Sequence, residues 1–121
     1  MPRLLTILIL ILPLLCWAQH SNRWKNIDIK DGLSNLIIND LDQDDKGFIW
    51  MATNEGFNRY DGKFVLKFPV QDSLHISESS ITDIEVDGSI IWLAIKGRGL
   101  YSYNLDNDVS QEIEELSLIL I

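Results

Sequence analysis

The sequence predicts an all-β fold built from a repeated four-stranded unit that follows an apolar leader. Three observations carry the prediction. A pattern of apolar, acidic and glycine residues recurs at a spacing of 42 to 43 positions, as between Ile38 and Ile81 or Trp50 and Trp92. Within each copy the apolar residues alternate with polar ones or run in short stretches bounded by Gly and Asp, which is the signature of strands and tight turns. An apolar leader over residues 1–18 precedes both copies.

The leader comes first in the chain. Met1, Pro2 and Arg3 form a short positive start, Leu4 to Leu15 are apolar apart from Thr6 and Pro13, and Cys16-Trp17-Ala18 ends the run with small residues at both outer positions. This is the pattern of a secretory signal peptide over residues 1–18, cut after Ala18. A membrane span needs about 20 apolar residues, and polar Gln19, His20, Ser21 and Asn22 interrupt well before that. Lipid attachment at Cys16 is the weaker alternative, because Leu15 is bulkier than a lipoprotein signal prefers. Cys16 is the single cysteine, so cleavage leaves no disulfide and no thiolate metal site. The formal charge of −8 becomes −9 once Arg3 is lost, which argues against nucleic acid as a partner.

The repeat fixes the domain plan. Ile38-Asn39-Asp40-Leu41-Asp42-Gln43-Asp44 corresponds to Ile81-Thr82-Asp83-Ile84-Glu85-Val86-Asp87, and Phe48-Ile49-Trp50-Met51-Ala52 to Ile90-Ile91-Trp92-Leu93-Ala94. Gly56 and Tyr60 likewise correspond to Gly99 and Tyr103. The positions that mark the structural repeat are therefore Trp50, Trp92, Gly56, Gly99, Tyr60 and Tyr103. β-Propeller blades recur at about 40–50 residues, each a small antiparallel sheet, so a partial propeller of about two blades is expected. The expected plan is a lead-in strand and loop over 19–35, with the strand at Trp24–Ile29, blade 1 over 36–70, blade 2 over 71–113, and a truncated apolar tail over 114–121. Lys46-Gly47, Asp61-Gly62 and Asp87-Gly88 supply the hairpin turns, and Phe64–Phe68 supplies the fourth strand of blade 1.

The stretch from Asp31-Gly32-Leu33-Ser34-Asn35 through Gly47-Phe48-Ile49-Trp50-Met51-Ala52-Thr53 to Gly56-Phe57-Asn58-Arg59-Tyr60-Asp61-Gly62 resembles the two-component regulator propeller repeat. The second copy matches less fully, since Ile95 stands where the first has Thr53. The resemblance implies the N-terminal periplasmic fragment of a hybrid two-component sensor histidine kinase, in a parent anchored in the inner membrane. It also implies remaining propeller blades as partners and glycan-derived ligands as the sensed class.

The candidate chemistry is sparse. Asp42, Asp44 and Gly47 suggest a calcium loop, but Thr53 stands where a bidentate Glu belongs, so an acidic turn is the better reading. Trp50 and Trp92 at matched places in apolar strands read as core residues and not as sugar-stacking platforms. Tyr60, Tyr101 and Tyr103 sit at strand ends, where the hydroxyl can reach the rim. His20 and His75 are the only histidines and make no metal cluster. Ser79 and Ser80 near His75 lack a nucleophile-elbow pattern, and Gly97-Arg98-Gly99 reads as a turn. No catalytic, cofactor-binding or metal residue is assigned, and no cofactor is implied. The expected role is sensing for a phosphorelay without catalysis by this chain. The alternatives are a secreted propeller that binds a carbohydrate or assembles as a homo-oligomer, and, less favoured, a propeller lyase.

Overall fold

The computed structural model describes residues 2–16 and 23–114. A helix, α1 (Pro2–Cys16), spans the apolar leader. Ala18, the expected cleavage position, and residues 115–121 of the expected tail lie outside the described residues. No helix among the described residues is long and apolar enough to cross a membrane.

Eight strands follow: β1 (Ile38–Gln43), β2 (Ile49–Thr53), β3 (Phe57–Tyr60), β4 (Val65–Phe68), β5 (Ile81–Asp87), β6 (Ile90–Ile95), β7 (Gly99–Asn104) and β8 (Val109–Glu112). They form two four-stranded antiparallel meanders, β1-β2-β3-β4 and β5-β6-β7-β8. The expected all-β class and the two repeated sheets are both present. The two sheets share even their irregularities. Each first strand carries a bulge one residue in, at Asn39 and at Thr82, and each third strand is entered through a glycine with positive φ, +78° at Gly56 and +102° at Gly99. At Gly56 a side chain would be strained by the positive φ and would also crowd backbone, since a Cβ there would lie 3.0 Å from the Cα of Ser77.

Side chains along a strand alternate between faces, and this decides the packing. Trp50 and Ala52 on β2, Phe57 on β3 and Phe68 on β4 face the second sheet, where Ile91, Leu93 and Ile95 on β6 and Tyr101 and Tyr103 on β7 meet them in one buried core. Trp50 and Phe68 pack edge to face at 4.9 Å between ring centroids, and Tyr103 meets Phe57 edge on at 5.6 Å. The opposite face of the first sheet holds a smaller cluster of Leu33, Met51 and Val65.

A second set of contacts joins the sheets along their first strands. Asp40 Oδ2 accepts the backbone N–H of Ile84 at 3.0 Å, and Asp42 Oδ2 accepts that of Val86 at 2.7 Å. Asn39 Nδ2 donates to the carbonyl of Ile81 at 2.8 Å. Because β5 is an edge strand, Ile84 and Val86 have no neighbouring strand on that side to accept their N–H groups, and the carboxylates of β1 supply the acceptors. The connection between the sheets is fastened as well. Asp72 accepts from Ile76 N at 2.6 Å, Arg98 donates to Leu74 O at 2.6 Å and Ser79 Oγ at 2.8 Å, and Gly56 N donates to Ser79 O at 2.9 Å.

Two expectations are corrected. Trp24–Ile29 is not a strand: residues 23–28 are irregular, and Trp24 is 94% exposed. Asp28 accepts from Lys30 N while Asp31 accepts from Asp28 N, so the two carboxylates close a 3₁₀ turn at Ile29–Asp31. Local side-chain bonds of this kind take up the backbone groups that a strand would offer to a partner. Trp92 is not a core residue. It is half-buried, whereas Trp50 is fully buried, because among the described residues no third sheet lies against the equivalent face of the second sheet.

Asp40→Ala and Asp42→Ala are each expected to lower the unfolding free energy by about 1.5–3 kcal/mol, the value of a hydrogen bond to a charged acceptor. Asp83→Ala and Glu85→Ala, at the equivalent places on β5, should stay within about 0.5 kcal/mol of the parent protein. Urea unfolding followed by tryptophan fluorescence measures both, and equal losses at the two pairs would show that the carboxylates do not join the sheets.

Candidate functional site

At the end that carries the turns between β1 and β2 and between β7 and β8 lies a crevice of about 510 Å³. Its floor is aromatic, from Phe48, Trp50 and Phe68, and its rim is polar, with Asp44, Asp106 and Asp108 among the lining residues.

Arg59 stands at the centre. Its position on β3, directly across from Trp50, places it on the face toward the second sheet. Its guanidinium carbon lies 4.8 Å from the Phe48 ring centroid, 5.6 Å from Phe68 and 5.7 Å from Trp50, so three ring faces hold the cation. Its Nε is buried and has no hydrogen-bond partner among the described residues. A buried donor without an acceptor is unfavourable, and an acceptor that entered the crevice would complete it.

The acidic rim divides into structural and free carboxylates. Asp44 is consumed by its own hairpin: Oδ1 accepts from Lys46 N and Phe48 N, each at 2.9 Å, and Oδ2 accepts from Trp50 Nε1 at 3.0 Å. The sequence Asp44-Asp45-Lys46-Gly47 is therefore a turn device that also locks the indole. Asp108 accepts from the Tyr103 hydroxyl at 2.5 Å, and the same hydroxyl accepts from Val70 N at 3.4 Å. Burial together with the adjacent Asp108 carboxylate disfavours the phenolate and pushes the Tyr103 hydroxyl up to about 12 from 10.0. Asp106 is exposed at the mouth. Away from the crevice, backbone N–H groups of Phe64 and Lys63 hold the Asp61 carboxyl below the usual carboxylate range.

The other sequence-marked residues separate from this site. Tyr103 touches it, while Tyr60 is half-buried and donates to the Gly62 carbonyl at 2.9 Å. Gly56 and Gly99 shape turns at the opposite end of the sheets, and Trp92 lies on the far face of the second sheet. Ser79 Oγ donates to the backbone carbonyl of His75 at 3.1 Å and Ser80 Oγ to Asn54 at 3.0 Å, so neither is arranged as a nucleophile with His75 as its base. Among the described residues no group of three or more His, Cys, Asp or Glu side chains is placed to hold a metal. Sequence reasoning did not single out Arg59. The signal available was its register: a cation placed two strand positions after Phe57 must share the face of the aromatic residues.

Comparison with known proteins decides what this architecture resembles. The described fold aligns with the extracellular domain of BT3049 from B. thetaiotaomicron, assigned to a hybrid two component system, with a TM-score of 0.58 and 30% identity over 72% of this chain and 13% of that one. The chain is similar to a stretch of a two-component sensor. A 46-residue segment is 41% identical to Histidine kinase P4 from Formosa agariphila, covering 37% of this chain and 3% of the kinase. No protein-family profile matches the chain. The chain thus spans a small part of the length of each relative. These likenesses agree with the sensor resemblance carried by the repeat motifs and with an all-β, blade-like fold.

The pH dependence follows from Tyr103. Its raised value means that its contribution to stability is fully present below pH 10 and is lost as pH rises toward about 12. A tyrosinate absorbance titration should show one phenol ionising late, and Tyr103→Phe should remove both that late step and the associated loss of stability.

Proposed function

We propose that this chain is part of the exported sensor portion of a phosphorelay histidine kinase and contributes to recognising glycan-derived ligands without catalysing a reaction itself. The observation that carries the reading is the match of its paired sheets to the extracellular domain of a hybrid two component system at 30% identity. The kinase and receiver modules belong to the longer parent, which is anchored in the inner membrane with this portion on the periplasmic side.

The crevice supports the ligand class. A sugar presents apolar C–H faces that suit Phe48, ring and hydroxyl oxygens that suit the unpartnered Arg59 Nε, and hydroxyl donors that suit the Asp106 carboxylate. The acidic rim disfavours a polyanion. Ligand seated between the two sheets alters their preferred separation, and a difference in affinity between two arrangements is what a sensor transmits.

Titration of the isotope-labelled protein with a panel of neutral tetrasaccharides (gluco-, xylo- and manno-) should shift the amides of Phe48, Arg59 and Asp106 together. Phe48→Ala and Arg59→Ala should each weaken that binding about tenfold, as expected for loss of about 1.4 kcal/mol of contact. Shifts scattered elsewhere would remove the crevice from the reading, and turnover of the sugar would overturn the non-catalytic role.

A further inference from the structure

Arg59 is a cation without an anion. Its guanidinium is held near the rings of Phe48, Phe68 and Trp50, its Nε is buried without a hydrogen-bond partner, and no ion pair to it forms among the described residues. The chain has 18 acidic side chains against 10 basic ones, and several carboxylates line the same crevice, so a partner is not lacking for want of acids. Those acids are engaged elsewhere or face water. Asp44 has both oxygens occupied by its own hairpin and the Trp50 indole, Asp108 accepts from Tyr103, and Asp45 and Asp106 are exposed.

Strand pairing does not require a cation at this position. Arg59 pairs with Trp50 in the first sheet, and Ser102 pairs with Trp92 at the equivalent place in the second. A neutral side chain therefore satisfies the register. A guanidinium partly withdrawn from water keeps its donors for a group that enters the crevice.

We propose, resting on the sugar reading of this crevice, that Arg59 recognises a single carboxylate on the ligand, so that the crevice selects a uronic acid residue of an oligosaccharide over a neutral one. A guanidinium presents five N–H donors in a planar fork, and a carboxylate accepts two of them at once, whereas a sugar hydroxyl accepts one. In a uronic acid the carboxylate is one bond from the pyranose ring. A pyranose seated on Phe48 thus brings its charge within reach of Arg59, whose guanidinium carbon lies 4.8 Å from the Phe48 centroid. The rim limits how much charge can enter. A phosphate carries about 1.5 to 2 charges at pH 7 and a polyuronide one on every residue, and both meet Asp45 and Asp106 at the mouth. One carboxylate meets only the repulsion of exposed groups, which water and salt screen, and gains a charge-assisted bond where solvent is scarcer.

Glucuronosyl-xylose, its methyl ester and xylobiose separate charge from sugar when each is titrated into the isotope-labelled full chain. The acid should bind about tenfold more tightly than the ester or xylobiose, the factor that one charge-assisted hydrogen bond supplies over a neutral one, and the preference should shrink as salt is raised. Arg59→Gln, which keeps a neutral donor, should bring the acid to the affinity of the ester. Arg59→Lys, which keeps the charge and loses the fork, should preserve a smaller preference. The acid-to-ester ratio is read in the unaltered protein as well, so a variant that fails to fold does not remove the test. Equal affinity of acid and ester in the unaltered protein, with the amides of Phe48, Arg59 and Asp106 shifting for both, overturns the carboxylate assignment and leaves the sugar reading standing. Benzoate binding as tightly as the acid overturns the assignment to a sugar. Absence of binding by all three disaccharides overturns both.

Discussion

Everything in this molecule depends on carboxylates meeting the bare edge of a neighbouring sheet. A four-stranded meander leaves the first strand with unpaired N–H groups along one side, and such an edge invites uncontrolled pairing. Asp40 and Asp42 answer those groups on β5 at 3.0 and 2.7 Å. The bond direction sets the stagger of one sheet on the next, and the stagger places Trp50 against the apolar face of β6 and β7. Hydrophobic contact alone is tolerant of sliding; two carboxylates spaced to match alternate N–H groups are not.

The crevice follows from the same stagger. Near the Gly56 end the first sheet is tied to the connector by the bond from Gly56 N to the Ser79 carbonyl. At the other end the indole, Phe48 and the Arg59 side chain line the crevice. Asp44 sits at the junction of both roles, since it closes the hairpin and fixes the indole that floors the opening. Structural and ligand-facing chemistry are thus separated residue by residue within one acidic turn, with Asp44 spent internally and Asp106 left at the mouth.

Most of the fold was legible in the sequence because the repeat compares the chain with itself. Strand periodicity, the turn glycines and the matched tryptophans each had a second instance to support them. The lead-in segment had no such copy, and its apolar alternation at Trp24, Ile27 and Ile29 misled: Asp28 and Asp31 cap each other across a turn, a pairing that depends on main-chain geometry and not on hydropathy. Trp92 misled for the opposite reason. Its sequence environment matches that of Trp50, and burial differs because, among the described residues, one has a sheet opposite and the other has none. β8, with polar Ser110, Gln111 and Glu112, carried little apolar signal because an outermost strand needs little. Arg59 passed unnoticed because its meaning lies in three rings drawn from β4, from β2 and from the turn that leads into β2.

The segment between the sheets has a mechanical consequence. Residues 69–80 are held by Asp72 from within, by Arg98 from the second sheet and by Gly56 from the first. A connector anchored at so many points acts as a strut and not as a tether: it has no slack to absorb a rotation of one sheet.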